Sequence, residues 1–206
     1  MRHIVDLLAR RFVELRRVSR DLSITIGRPA RKADIHRLKR TVPALPPELE
    51  AFFLEASENV QLDWTAGDEV LTALPRYLRG VTGSFFEISL KETERLAAHW
   101  PPSGSRFGAK QLFPLIEMMT GDVIVCVNDP ALPATVTFVD HETGEVLQLS
   151  DSIKSFLEPW VALGCPGPER DAIEPFINPA ARGLDLTLPA ARQWTAALGF
   201  LRRDGS

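Results

Sequence analysis

The chain has 206 residues, 45% of them apolar and 25% charged, with a net charge of −3. This composition excludes an intrinsically disordered chain, and no apolar run reaches the roughly 18 residues of a membrane-spanning helix. The charge is unevenly spread: residues 1–40 hold 12 Lys/Arg against 4 Asp/Glu, a balance of +8, and the remainder balances at −11. An acidic body with a basic arm is the expected pattern.

Residues 3–18 read as an amphipathic helix, with Ile4, Leu8, Phe12 and Leu15 on one side and Arg10, Arg11, Arg16 and Arg17 on the other. No basic tip leads into an apolar core, so no targeting segment is expected. Ser23-Ile24-Thr25-Ile26-Gly27 breaks the helical pattern, and residues 28–32 form a basic linker around Pro29. A short helix fits residues 34–39, with Asp34 as its cap. Another starts at Pro46 or Pro47, since proline is tolerated in a first turn. Val60-Gln61-Leu62-Asp63-Trp64 alternates as a half-buried strand does. Residues 71–78 are ambiguous because Pro75 interrupts them. Phe86, Ile88 and Leu90 alternate again, and Ser89 with Glu92 makes a capping box for a helix to His99, which Pro101 and Pro102 stop.

Residues 103–110 form a polar loop. Phe113-Pro114-Leu115-Ile116-Glu117 and a Thr120-Gly121-Asp122 turn follow. The continuous apolar run Val123-Ile124-Val125-Cys126-Val127 marks a central strand covered on both faces. Thr135-Val136-Thr137-Phe138-Val139, a His141-Glu142-Thr143-Gly144 turn and Val146-Leu147-Gln148-Leu149 make an antiparallel pair. Ile153, Phe156, Leu157, Trp160 and Val161 form the strongest helical stripe, with Ser150, Asp151 and Ser152 as alternative caps. Pro159 lacks an N–H for Ser155, so a kink or restart is expected there. Residues 165–188 should wrap the surface, and 189–201 should close the chain as a helix with Trp194, Leu198 and Leu201 on one face.

Cys126 reads as a small core residue, and Cys165, in a Gly-Cys-Pro-Gly-Pro turn, as a free thiol. With no CxxC pair and no zinc spacing, a reducing cytoplasm fits. His3, His36, His99 and His141 have no second His or Cys at ligand spacing. Asp140, His141 and Glu142 should not converge, because alternate side chains of a strand point to opposite faces. Ser103-Gly104-Ser105 lacks the setting of a nucleophile elbow, and no phosphate-binding glycine motif occurs. No cofactor and no metal are therefore expected. The arginines of residues 1–40 could contact nucleic acid, but no aromatic platform is interleaved with them. Trp64, followed by Thr65-Ala66-Gly67-Asp68-Glu69, is an interface anchor ringed by acids if exposed and simple core if buried.

Strands and helices are partly segregated, which points to an α+β fold. The order of pieces resembles the SUKH superfamily, the Smi/Knr-like proteins. Asp34-Ile35-His36-Arg37-Leu38 before Leu45-Pro46-Pro47-Glu48-Leu49-Glu50-Ala51-Phe52-Phe53 is similar to that family's opening helix pair. Phe86-Glu87-Ile88-Ser89-Leu90-Lys91-Glu92-Thr93 resembles its strand-to-helix passage. Phe113-Pro114-Leu115 with Gly121-Asp122-Val123-Ile124-Val125-Cys126-Val127 resembles its central hairpin, Thr137-Phe138-Val139-Asp140-His141-Glu142 its next strand, and residues 150–157 its closing helix. Ser57-Glu58-Asn59 departs from the Asn-Gly-Gly often found in the family, and Lys39 stands near a position that is often acidic.

The resemblance implies a SUKH-like domain over residues 34–163, with a mostly antiparallel sheet packed by helices. An N-terminal helix and basic linker (1–33) and a C-terminal Pro/Gly-rich wrap with a short helix (164–206) would flank it. It also implies a non-enzymatic, cytoplasmic, protein-binding role, as an immunity protein that neutralises a cognate bacterial toxin. The alternatives are a regulatory adaptor, a nucleic-acid-associated protein using the basic arm, or a small hydrolase. The candidate partner-binding residues are Asp63, Trp64, Asp68, Glu69, Asp122, Asp140 and Glu142.

Overall fold

Apolar stripes set the first helices of the chain. In this computed structural model, which describes residues 1–99, 112–118, 120–127, 135–167 and 169–200, α1 (Arg2–Leu15) buries Ile4, Leu8 and Leu15. The stretch directly beyond it, expected only to break the helical pattern, is a strand, and the basic residues 28–31 that follow belong to no helix or strand. β1 (Ser19–Ile26) pairs antiparallel with β2 (Asn59–Ala66), from Ser19 opposite Ala66 to Ile26 opposite Val60. α2 (Lys32–Thr41) and α3 (Pro47–Glu55) lie between the two strands. Asp34 does not cap α2, because Arg31 occupies the cap position. The Asp34 carboxylate instead accepts from Arg31 Nε at 2.8 Å and Arg37 Nη2 at 3.0 Å. Residues 1–40 are thus three packed elements, not an arm.

Pro75 divides the ambiguous stretch into α4 (Asp68–Ala73) and a 3-10 turn (Arg76–Leu78). β3 (Gly83–Ser89) completes a three-stranded antiparallel sheet of order β1-β2-β3. α5 (Leu90–His99) follows at once. Half of the expected capping box forms there: the Glu92 amide donates to Ser89 Oγ at 3.0 Å, while the Glu92 carboxylate turns to Arg95. Pro101, Pro102, the 103–110 loop and Leu201 lie outside the described residues.

β4 (Leu112–Glu117), β5 (Val123–Val127), β6 (Val136–Val139) and β7 (Val146–Ser150) make a separate four-stranded antiparallel sheet in chain order. The strands of residues 34–163 are therefore divided between two sheets and do not form the single one expected. Pro114 is tolerated because β4 is an edge strand with a register shift at that point. β5 is interior and covered on both faces: Ile124 and Cys126 join the main core, while Val123 and Val125 pack with Val139 on the other side.

α6 (Ile153–Ala162) buries its whole predicted stripe and packs on α1. The Ser155 amide donates to Ser152 Oγ at 3.0 Å, and the Ile153 amide donates to Glu48 Oε2 of α3 at 2.7 Å. The helix runs through Pro159 as one element, without the expected restart. Trp160 packs against Phe86 and Phe156, with ring centroids 4.6 and 5.1 Å away.

Beyond α6 the chain does not merely wrap the surface. α7 (Arg170–Ile173), the short hairpin of β8 (Ile177–Asn178) and β9 (Gly183–Leu184), and α8 (Pro189–Ala197) follow. With the 3-10 turn Glu174–Phe176 between α7 and β8, they place Ile173, Phe176, Ala191 and Trp194 in the core at no measurable exposure. One continuous apolar cluster runs from Ile4 to Leu198. Packing therefore does not break at residues 33/34 or 163/164, and the terminal segments are part of the same body as residues 34–163. Among the described residues, no helix is long and apolar enough to cross a membrane.

Candidate interaction surface

Period-two alternation divides the three-stranded sheet into two unlike faces. Val60, Leu62, Trp64 and Ala66 of β2 and Ser84, Phe86 and Ile88 of β3 point inward and are buried. Trp64 is only 1% exposed and lies 6.0 Å from the Trp194 ring, so it is core and not an interface anchor. Its indole N–H has no acceptor among the described residues, which leaves apolar packing to hold it.

The opposite face carries Asp21, Ser23 and Thr25 of β1, Gln61, Asp63 and Thr65 of β2, and Phe85 and Glu87 of β3. All eight are exposed or half-exposed. Asp63 sits between Ser23 and Phe85 in register, which puts its Cβ about 5 Å from that of Phe85. Phe85 is 45% exposed. Glu87 is its neighbour two residues along the same face and accepts from Ser89 Oγ at 2.6 Å. Asp68 and Glu69 occupy the exposed first turn of α4, just past the end of β2. An aromatic ringed by acids does exist here, but the aromatic is Phe85. Its signal was present in the sequence: with Phe86 inward, alternation forces Phe85 outward.

Asp122, Asp140 and Glu142 belong to the other sheet, so the candidate acids divide between two places. Asp122 ends the β4–β5 turn, and Asp140 and Glu142 flank His141 in the β6–β7 turn. Asp122 Oδ1 accepts from both the backbone amide and Nδ1 of His141, each at 2.9 Å. Asp140 Oδ1 accepts from the Glu142 and Thr143 amides at 2.9 and 2.8 Å. The hydrogen bond to Asp122 raises the His141 pKa above the ordinary imidazole value, while the Thr143 amide foremost lowers that of Asp140.

Asp140 and His141 do come together in this turn, but the third member of the group is Asp122 of the other turn and not Glu142. Asp122, Asp140 and His141 could each offer a metal-ligand atom, with all three atoms within 4.8 Å of one another. Each is already engaged in fixing the two turns, however, and Glu142, 80% exposed, stays outside the trio with its Oε1 3.9 Å from His141 Nε2. The cluster's evident work is to tie one turn to the other. His3, His36 and His99 stand on α1, α2 and α5 and join no such group among the described residues. Both thiols are buried: burial pushes Cys126 up to about 11, with the Glu48 charge adding to it, and drives Cys165 higher still. Ser103-Gly104-Ser105 lies outside the described residues.

Comparison of the chain with protein-family models, with curated proteins and with solved structures finds no match.

Proposed function

We propose that this chain is a non-enzymatic, SUKH-like protein-binding domain of the immunity type, which neutralises a basic toxin in the cytoplasm by covering it with the outer face of the β1-β2-β3 sheet. The observation that carries this reading is Phe85, an exposed ring opposite Asp63 and beside Glu87 on a face that also holds Asp21. An aromatic anchor on a polar surface has the composition of a binding hot spot. Its acidic surround favours encounter with a basic protein and would hinder that protein's access to nucleic acid. The helix pair, antiparallel strands and closing helix also follow one another in the order on which the family resemblance rests.

The test is association with the product of the adjoining reading frame, measured by surface plasmon resonance between about 50 and about 200 mM salt. The expected on-rate falls as salt rises, and Phe85→Ser and Asp63→Lys each weaken binding at least about tenfold. An on-rate indifferent to salt, or full affinity in both variants, would overturn the proposal.

A further inference from the structure

The groove between α2 and α3 is lined by Lys32, Ile35, His36, Lys39, Arg40, Glu50 and Leu54 and has a volume of about 530 Å³. Lys32, His36, Lys39 and Arg40 fall at i, i+4, i+7 and i+8, which brings them to one side of the helix. All four are exposed, while Ile35 is buried and Leu54 half-buried, so an apolar floor lies beneath a cationic rim. Lys39 is held by Glu50 at 2.6 Å. Lys32 and Arg40 make no ion pair with a described residue. On the other flank, Arg31 and Arg37 share the single carboxylate of Asp34. Glu94 accepts from Thr41 Oγ1 at the end of α2 at 2.8 Å, so the neighbouring acids Asp34, Glu50 and Glu94 offset only part of the charge of Arg31, Lys32, Arg37, Lys39 and Arg40.

We propose that this groove docks an acidic peptide segment that carries an apolar side chain. The rim supplies charge complementarity to carboxylates, and Ile35 and Leu54 would cover the apolar group. A nucleic-acid backbone suits the site less well. It has no apolar group for the floor, no aromatic lines the groove for a base to stack on, and Glu50 in the wall repels phosphate. The groove uses none of the residues of the β1-β2-β3 face, so this proposal stands or falls independently of the toxin-binding one.

The experiment is fluorescence anisotropy on the full chain with three labelled probes: a short Glu/Asp peptide bearing two leucines four residues apart, the same peptide with serines for the leucines, and a short DNA duplex. The leucine peptide should bind in the micromolar range and the serine peptide at least about tenfold more weakly. Lys32→Glu/Arg40→Glu should lose at least about tenfold in affinity, and Lys32→Gln/Arg40→Gln an intermediate amount, with unchanged circular dichroism. Equal binding of both peptides, tighter binding of DNA, or no binding of the leucine peptide would each overturn the proposal. So would a dimer, seen by analytical ultracentrifugation, that Lys32→Glu/Arg40→Glu dissociates, because a second copy would then be the occupant.

Discussion

Replacing Trp194 by alanine measures whether residues 164–200 are an appendage or part of the core. The Trp194 side chain has no measurable exposure, its ring lies 6.0 Å from Trp64 and 6.2 Å from Phe176, and Nε1 donates to the Leu163 carbonyl at 2.7 Å. Truncating a buried tryptophan costs about 3–5 kcal/mol. Leaving the Leu163 carbonyl without its donor adds about 1 kcal/mol. A loss of about 4–6 kcal/mol is a large share of the 5–15 kcal/mol that typically holds a domain together. In a chain of this size it should lower Tm by about 8–24 °C. Trp194→Phe keeps most of the packing and should cost only about 1–2 kcal/mol. Urea unfolding followed by far-ultraviolet circular dichroism gives the free energies directly. A loss below about 1 kcal/mol for Trp194→Ala, with an unchanged m-value, would refute the single-core description and return α8 to the status of an extension.

Gly83 has φ +150, and a Cβ there would stand 2.0 Å from the Trp64 carbonyl oxygen, so Gly83→Ala should destabilise the fold by about 3 kcal/mol; a neutral substitution in the same urea assay would contradict the β2–β3 geometry. The hydrogen bond that His141 Nδ1 donates to Asp122 raises the His141 pKa. Its stabilisation is therefore fully present below the unfolded imidazole pKa and disappears as pH rises through the folded value. Proton-detected titration should place His141 above the ordinary histidine value, and Asp122→Asn should lower it again; an unmoved titration would dissolve the tie between the two turns. Cys126 and Cys165 should both resist a thiol reagent in the native protein and react on unfolding, since burial raises both pKa values. Rapid reaction of either thiol in the native state would show that its burial is wrong.

Strong local signals were legible without coordinates. The stripe Ile153-Phe156-Leu157-Trp160-Val161 became α6, and the continuous run 123–127 became the interior strand β5. Weak alternation hid β1: it is an edge strand whose inward residues Leu22, Ile24 and Ile26 are only partly covered, and Arg20 and Asp21 sit at its start. The segment 165–188 was obscured by its Pro/Gly content, which conceals Ile173 and Phe176 as core residues. Glu48 at the N-terminus of α6 comes from a helix far away in sequence, a contact that no local pattern announces. The candidate surface is half legible: Asp63 is readable as an outward acid, but the conspicuous Trp64 beside it faces the core, and its aromatic neighbour Phe85 lies on a strand whose pairing with β2 no local pattern announces.

The meeting of Trp64 with Trp194, whose ring also packs on Phe176, has a meaning for biogenesis as well. A growing chain presents β2 to its surroundings long before α8 leaves the ribosome. During that interval the inward row Leu62, Trp64 and Ala66 lacks its final cover. Contacts of such long sequence separation form slowly. Nascent chains released or stalled before residue 198 would expose a sticky strand face, so this protein's yield in a cell should depend on holdase chaperones and on the speed with which α8 is made.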